Sequence, residues 1–181
     1  MTNFRIFAVI LLALTQVTWA ARAHDFKFGY IVPLSGPDQA AGQQAVNGFW
    51  LAGRERDAHA DEEADGHLGG LDVYILRIEA MQSEAAILRD VQRLIAGPGL
   101  QYLAALDPAS LSPRLRKLLT ASGTEIIERP STVPRDIQTM DGEAFAAFYA
   151  RRFGHAATTP AFQGYDVART VDRLVRAAHA E

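Results

Sequence analysis

The sequence predicts an α/β domain built on an open parallel sheet of about four strands, in the order 2-1-3-4, with helices on both faces. Three observations predict it. Short apolar, β-rich runs alternate with segments of helical period, and glycine, proline or Ser-Pro stops punctuate most junctions. Residues 24–181 have the size of one domain and contain no cysteine to staple it. Right-handed crossovers then put the second strand at one edge, followed by the first, third and fourth.

Residues 1–23 read as a leader rather than as part of that fold. Arg5 supplies a positive charge, residues 6–14 are an almost unbroken apolar run, and Ala21-Arg22-Ala23 offers small residues at the two positions that signal peptidase reads. The apolar run is shorter than the ~20 residues a spanning helix needs. The expectation is cleavage after Ala23, with a cut after Ala20 as the rival. The product is a periplasmic domain, residues 24–181, with no membrane anchor and no lipid-bearing cysteine.

The elements follow in order. Residues 26–34 form a buried strand closed by Ser35-Gly36-Pro37. Residues 42–56 are helical, with Val46, Phe49, Trp50 and Gly53 at i, i+3, i+4 and i+7. Residues 59–70 read as a polar loop, and residues 71–78 alternate as the second strand. Ser83 caps a helix over 84–96 whose stripe is Ile87, Val91, Leu94 and Ile95, and Gly97-Pro98-Gly99 stops it. Residues 102–106 make the third strand. Ser112-Pro113 opens a helix that buries Leu115, Leu118 and Leu119 and ends at Gly123. Residues 125–127 make a short fourth strand, and 128–139 an irregular connection. Asp141 caps a helix that buries Phe145, Phe148, Tyr149 and Phe153 and stops at Gly154. Thr159-Pro160 opens a last helix with Ala161, Tyr165, Ala168, Val171, Val175 and Ala178 on one side.

Charge and motifs narrow the function. The leader holds two of the 18 basic residues and none of the 21 acidic ones, so the domain is more acidic than the chain's net −3. No basic cluster suits nucleic acid. His59, Asp61, Glu62, Glu63, Asp65 and His67 have no compact metal spacing and read as a solvated loop. His24, as a new N-terminus, lacks the further ligands a copper site needs. Asp107 and Ser110 sit at strand ends without a histidine at motif spacing, and phosphate-binding glycine motifs and H-E-x-x-H are absent. The chain therefore reads as a non-enzyme without cofactor. In an open parallel sheet, ligands sit beyond the carboxyl ends of the strands where the order reverses. That places a site on residues 35–42 and 107–112, with 130–132 beside them.

The residues at those loops also carry a resemblance. The run from Phe28 through Gly29-Tyr30-Ile31-Val32-Pro33-Leu34-Ser35-Gly36 to Pro37, then Gly42 and Asn47-Gly48, resembles the opening of type I periplasmic binding proteins. The likeness is to the Leu/Ile/Val-binding class, which feeds amino acids to ABC importers. Gly69-Gly70, the alanine-rich helix ending in Leu94-Ile95, and the late pattern Phe145, Tyr149, Phe153-Gly154 and Gly164-Tyr165-Asp166 continue it in order. The resemblance implies one lobe of that fold, with ligand contacts at Ser35, Gly36, Ala41, Asp107, Ala109, Ser110, Ser131 and Thr132. Three departures accompany it. Family members are about twice as long, and here the second lobe looks deleted. Ala41 stands where the family often has an aromatic. Ala109 takes the place of the serine that grips an α-carboxylate, while Thr132 keeps the threonine that helps hold an ammonium. The resemblance implies a periplasmic solute-binding-like protein of an amino-acid uptake system, with an ABC permease or a second protein covering the strand-end loops. The alternative is a one-lobe module acting by protein contact, as an adaptor or sensor accessory, with no ligand of its own.

Overall fold

The computed structural model describes residues 24–55, 64–128 and 142–179. Strand β1 (Asp25–Val32) leads into helix α1 (Gln39–Arg54), then strands β2 (Gly66–Leu68) and β3 (Leu71–Glu79). Helix α2 (Glu84–Ala96), strand β4 (Tyr102–Ala105), a 3-10 turn (Pro108–Ser110), helix α3 (Pro113–Ser122) and strand β5 (Glu125–Ile126) follow. Helices α4 (Gly142–Phe153) and α5 (Thr159–His179) close the described chain. No described helix is long and apolar enough to cross a membrane.

The sheet has five strands in the order β2-β3-β1-β4-β5. This corrects the expected four-strand order 2-1-3-4. The parallel strands run β3-β1-β4-β5, and the added β2 lies antiparallel on the outer edge of β3. It forms inside the stretch 59–70 read as a loop. Leu68 pairs with Leu71 across Gly69-Gly70, and both glycines have positive φ (66° and 90°), which a two-residue hairpin turn of this hand requires. The hairpin is also tied from outside. The buried Asp172 carboxylate on α5 accepts the Gly69 N–H at 2.7 Å and bonds to Arg176 at 3.1 and 3.2 Å. Arg169, also buried, lies 3.8 Å from Asp172 and 3.9 Å from Glu55, whose other oxygen accepts the Tyr165 hydroxyl. A three-residue strand anchored by residues a hundred positions away leaves little trace in local sequence.

β1 is central and, from Phe28 to Val32, buried on both faces, as its apolar run there requires. Phe28, Tyr30 and Val32 face a core shared with α1, α4 and α5, in which Phe28 stacks on Phe49. Ile31 joins Ile78, Leu103, Leu115 and Leu119 in a second, aliphatic core under α2 and α3. On the first face the helices meet very closely. A Cβ on Gly48 would lie 1.9 Å from the Ala161 carbonyl oxygen, and one on Gly164 would lie 1.8 Å from that of Ala45.

Serines cap both helices of the second face. Ser83 accepts the Ala86 N–H, Ser112 accepts the Leu115 N–H, and Gly123 ends α3 in the left-handed region. The expected stripe of α4 is corrected at one position. Phe145 and Tyr149 are buried, but Phe148 is 41% exposed and stacks with Arg151. At i+3 from Phe145 it falls on the shoulder of the helix, outside the i, i+4 line that meets the core. Ala178 is likewise exposed at the last turn of α5. Residues 1–23, read as a leader, residues 59–63 of the acidic stretch, most of the irregular connection and the expected Asp141 cap lie outside the described residues.

Candidate functional site

The carboxyl ends of β1 and β4 carry two of the loops expected to hold a ligand, and each has a local reason for its shape; the third, 130–132, lies outside the described residues. After β1, Gly36 turns with φ 74° and its carbonyl accepts Gln39 N–H as α1 begins. The residue that fastens this loop was missed by sequence reasoning. Glu79, the last residue of β3, accepts the Leu34 N–H at 3.1 Å, the Ser35 hydroxyl at 2.7 Å and the Met81 N–H at 2.9 Å. The Met81 amide and the Ser35 hydroxyl hold its carboxyl below the usual carboxylate range. Its signal in the sequence is a lone carboxylate ending the apolar alternation of β3. Ser35 is therefore occupied as a donor, strapping β1 to β3.

After β4 the chain makes the 3-10 turn. Asp107 accepts the Ala109 N–H at 3.0 Å through its side chain and the Ser110 N–H at 3.0 Å through its carbonyl. This turn, the start of α2 and the first turns of α3 border an open cleft of about 350 Å³. Gln82, Glu84, Asp107, Ala109, Ser110 and Ser112 line it, over the buried side chains of Ile87 and Leu115. Gln82 is fixed by its amide on Asp90. The Ser110 hydroxyl has no partner among the described residues, and no described histidine lines the cleft.

The structure thus gathers three of the expected site residues, Asp107, Ala109 and Ser110, into one cleft on the α2/α3 side of the sheet. Ser35 reaches its rim through Glu79, whose neighbour Ala80 lines it. Gly36 shapes the β1 turn, and Ala41 sits half-buried in α1 on the other side of the sheet; neither lines the cleft. Ser131 and Thr132 lie outside the described residues.

The electrostatics of the cleft follow from this inventory. Asp107 and Glu84 bring two carboxylates to the concavity, and Gln82, Ser110 and Ser112 add further polar groups. Such a surface suits a small cation able to hydrogen-bond. It offers nothing comparable to an anion at Ala109, which has no hydroxyl and whose N–H is already bonded to Asp107. Of the described acidic, His-bearing residues, His67 contacts Asp72 at 2.6 Å across the β2–β3 pair, and Asp65 accepts the Ile75 N–H. Among the described residues no group of three or more potential ligands is placed to hold a metal ion. Neither a family model nor a curated protein matches the chain.

Proposed function

We propose that this chain is a periplasmic solute-binding lobe serving an ABC-type uptake system for amino acids or similar small solutes. The observation that carries the reading is the cleft beyond β3 and β4. Its two carboxylates complement the ammonium group of a small amino acid. The basic, apolar and small-residue order of residues 1–23 supports export. The order of matching residues along 28–166 supports a lobe of the Leu/Ile/Val-binding kind.

The α-carboxylate of such a solute has no counterpart at Ala109, and the cleft is open. Pocket sites normally enclose 70–90% of a ligand. A second protein surface, a permease or another partner, supplies the missing cover and the missing donor. A lobe acting by protein contact alone is the second reading, favoured by the occupied Ala109 N–H.

Calorimetry on the purified mature protein separates these. Leucine and isoamylamine, which keeps the amine and drops the carboxylate, should each bind in the millimolar range, roughly −4 kcal/mol. The amine-free 4-methylpentanoate should not bind, and Asp107→Asn should abolish the heat of the other two. Micromolar binding of leucine by a monodisperse monomer would overturn the need for a covering partner. No heat with either amine would leave the contact-only module.

A further inference from the structure

A second surface lies along the outer edge of β3, lined by residues other than those of the cleft, and is independent of its function. In β3 the even residues bond to β1: Asp72 donates to His24 and Ala80 to Val32. The odd residues therefore turn their backbone groups outward. β2 covers this edge only from Leu71 to Val73, and the next groups are satisfied by one residue. Asp65 gives its N–H to the Val73 carbonyl and takes the Ile75 N–H on its side chain at 2.7 Å. Beyond that point the Ile75 carbonyl and both backbone groups of Arg77 have no partner among the described residues.

This edge, unpaired among the described residues, borders a groove of about 580 Å³ lined also by Gln39 and Gln43 of α1 and Leu94 of α2. Sharing Gln43, Ile75 and Arg77, it continues into a second space of about 290 Å³ beside Trp50 and Arg152. Charge here is opposite to that of the cleft and of the chain as a whole. Arg77 and Arg152 are exposed and have no ion pair among the described residues, and Arg152 stacks on Trp50 at 5.0 Å. The one carboxylate in the described lining, Asp65, is committed to Ile75.

We infer that this edge receives an extended acidic peptide segment of a partner protein, added to the sheet as a sixth strand beside β3. Strand addition supplies main-chain bonds to Ile75 and Arg77, and alternate side chains of the segment reach the groove walls. Arg77 and Arg152 select carboxylates. An arginine on an edge strand also disfavours pairing with apolar strands or with the same edge of a second copy, where Arg77 would approach its own equivalent. The charge that protects the edge from indiscriminate pairing is thus the charge that chooses its partner.

Two capped heptapeptides test this with the mature protein, one alternating glutamate and valine, the other lysine and valine. The acidic peptide should bind and shift the amides of Ile75 to Glu79, while the basic one should not. Arg77→Pro removes an N–H that the fold itself leaves unused, so it should melt near the parent temperature and lose the acidic peptide. The double charge reversal Arg77→Glu with Arg152→Glu should weaken binding at least about tenfold and gives the same reading should the proline variant fail to fold. Asp107→Asn should leave peptide binding unchanged, which separates this site from the cleft. Equal binding of both peptides, no binding of the acidic one, or indifference to the Arg77 variants would overturn the proposal. So would a concentration-dependent dimer dissolved by Arg77→Pro, which would make the occupant a second copy.

Discussion

On one face of the sheet α1 and α5 meet backbone to backbone, Gly48 against the carbonyl of Ala161 and Gly164 against that of Ala45. On the other face α2 and α3 rest on an aliphatic core, with Leu94, Ile95 and Leu118 only half-buried and a solvent-filled cleft between their first turns. Several residues on which the resemblance was read lie in the first arrangement: Gly48, Phe145, Tyr149, Gly164 and Tyr165. They are there because nothing larger than hydrogen fits at the glycines and because the aromatic rings fill one core. The residues that face the cleft lie in the second arrangement, where the packing leaves the choice of side chain open. Likeness in the packed face therefore reports architecture, and the chemistry of the ligand has to be read from the other.

That contrast is breakable by substitution. The largest effect should come from Phe145→Ala, which empties a wholly buried ring site shared with Tyr149, Phe162 and Tyr165. It should cost about 3–5 kcal/mol in denaturant unfolding. Gly164→Ala should follow at about 3 kcal/mol, because the added carbon forces α5 away from α1. Its counterpart at the end of α2, Gly97→Ala, places a carbon 3.1 Å from the Arg93 carbonyl and should cost well under about 1 kcal/mol. Comparable losses at Gly97 and Gly164 would show that the two faces are packed alike.

Acid should weaken the first face in particular. Burial raises the pKa of Asp172, but Arg176, the Gly69 N–H and Arg169 together outweigh it and hold the carboxyl below the usual range. A carboxyl depressed in the folded state adds stability above its unfolded pKa and loses it as pH falls through the folded value. The melting temperature should therefore decline below about pH 4, and Asp172→Asn should flatten that decline while lowering the plateau. Glu79, depressed by Met81 and Ser35, acts in the same direction at the strand ends, and Ser35→Ala should reduce its share. The smallest effect belongs to Phe148→Ala. With the ring 41% exposed it should cost no more than about 0.5 kcal/mol, against the several expected of its neighbour Phe145.

Local signals were legible where chemistry and chain neighbours coincide. Ser83, Ser112 and Gly123 declare helix ends because each acts within four residues of itself. The strands β1 and β4 declare themselves by apolar runs that suit burial on both faces, and β3 by alternation. β2 was illegible because it is three residues long and its hairpin depends on Asp172. Phe148 misled because periodicity marks an apolar side of α4 without fixing which shoulder meets the core. At the cleft, Ala109 was singled out only by the resemblance, while the loop 107–112 that contains it followed from topology. Glu79 did not, since its three partners come from two loops that only the fold brings together.

The central claim is that solute chemistry resides on the α2/α3 face, at the carboxyl ends of β3 and β4. An amide-shift titration of the mature protein with leucine tests it most directly. The account predicts shifts gathered at Ala80 to Glu84, Asp107 to Ser112 and Leu115, saturating in the millimolar range and absent in Asp107→Asn. Shifts centred instead on α1 and α5, with residues 107–112 unmoved, would contradict it.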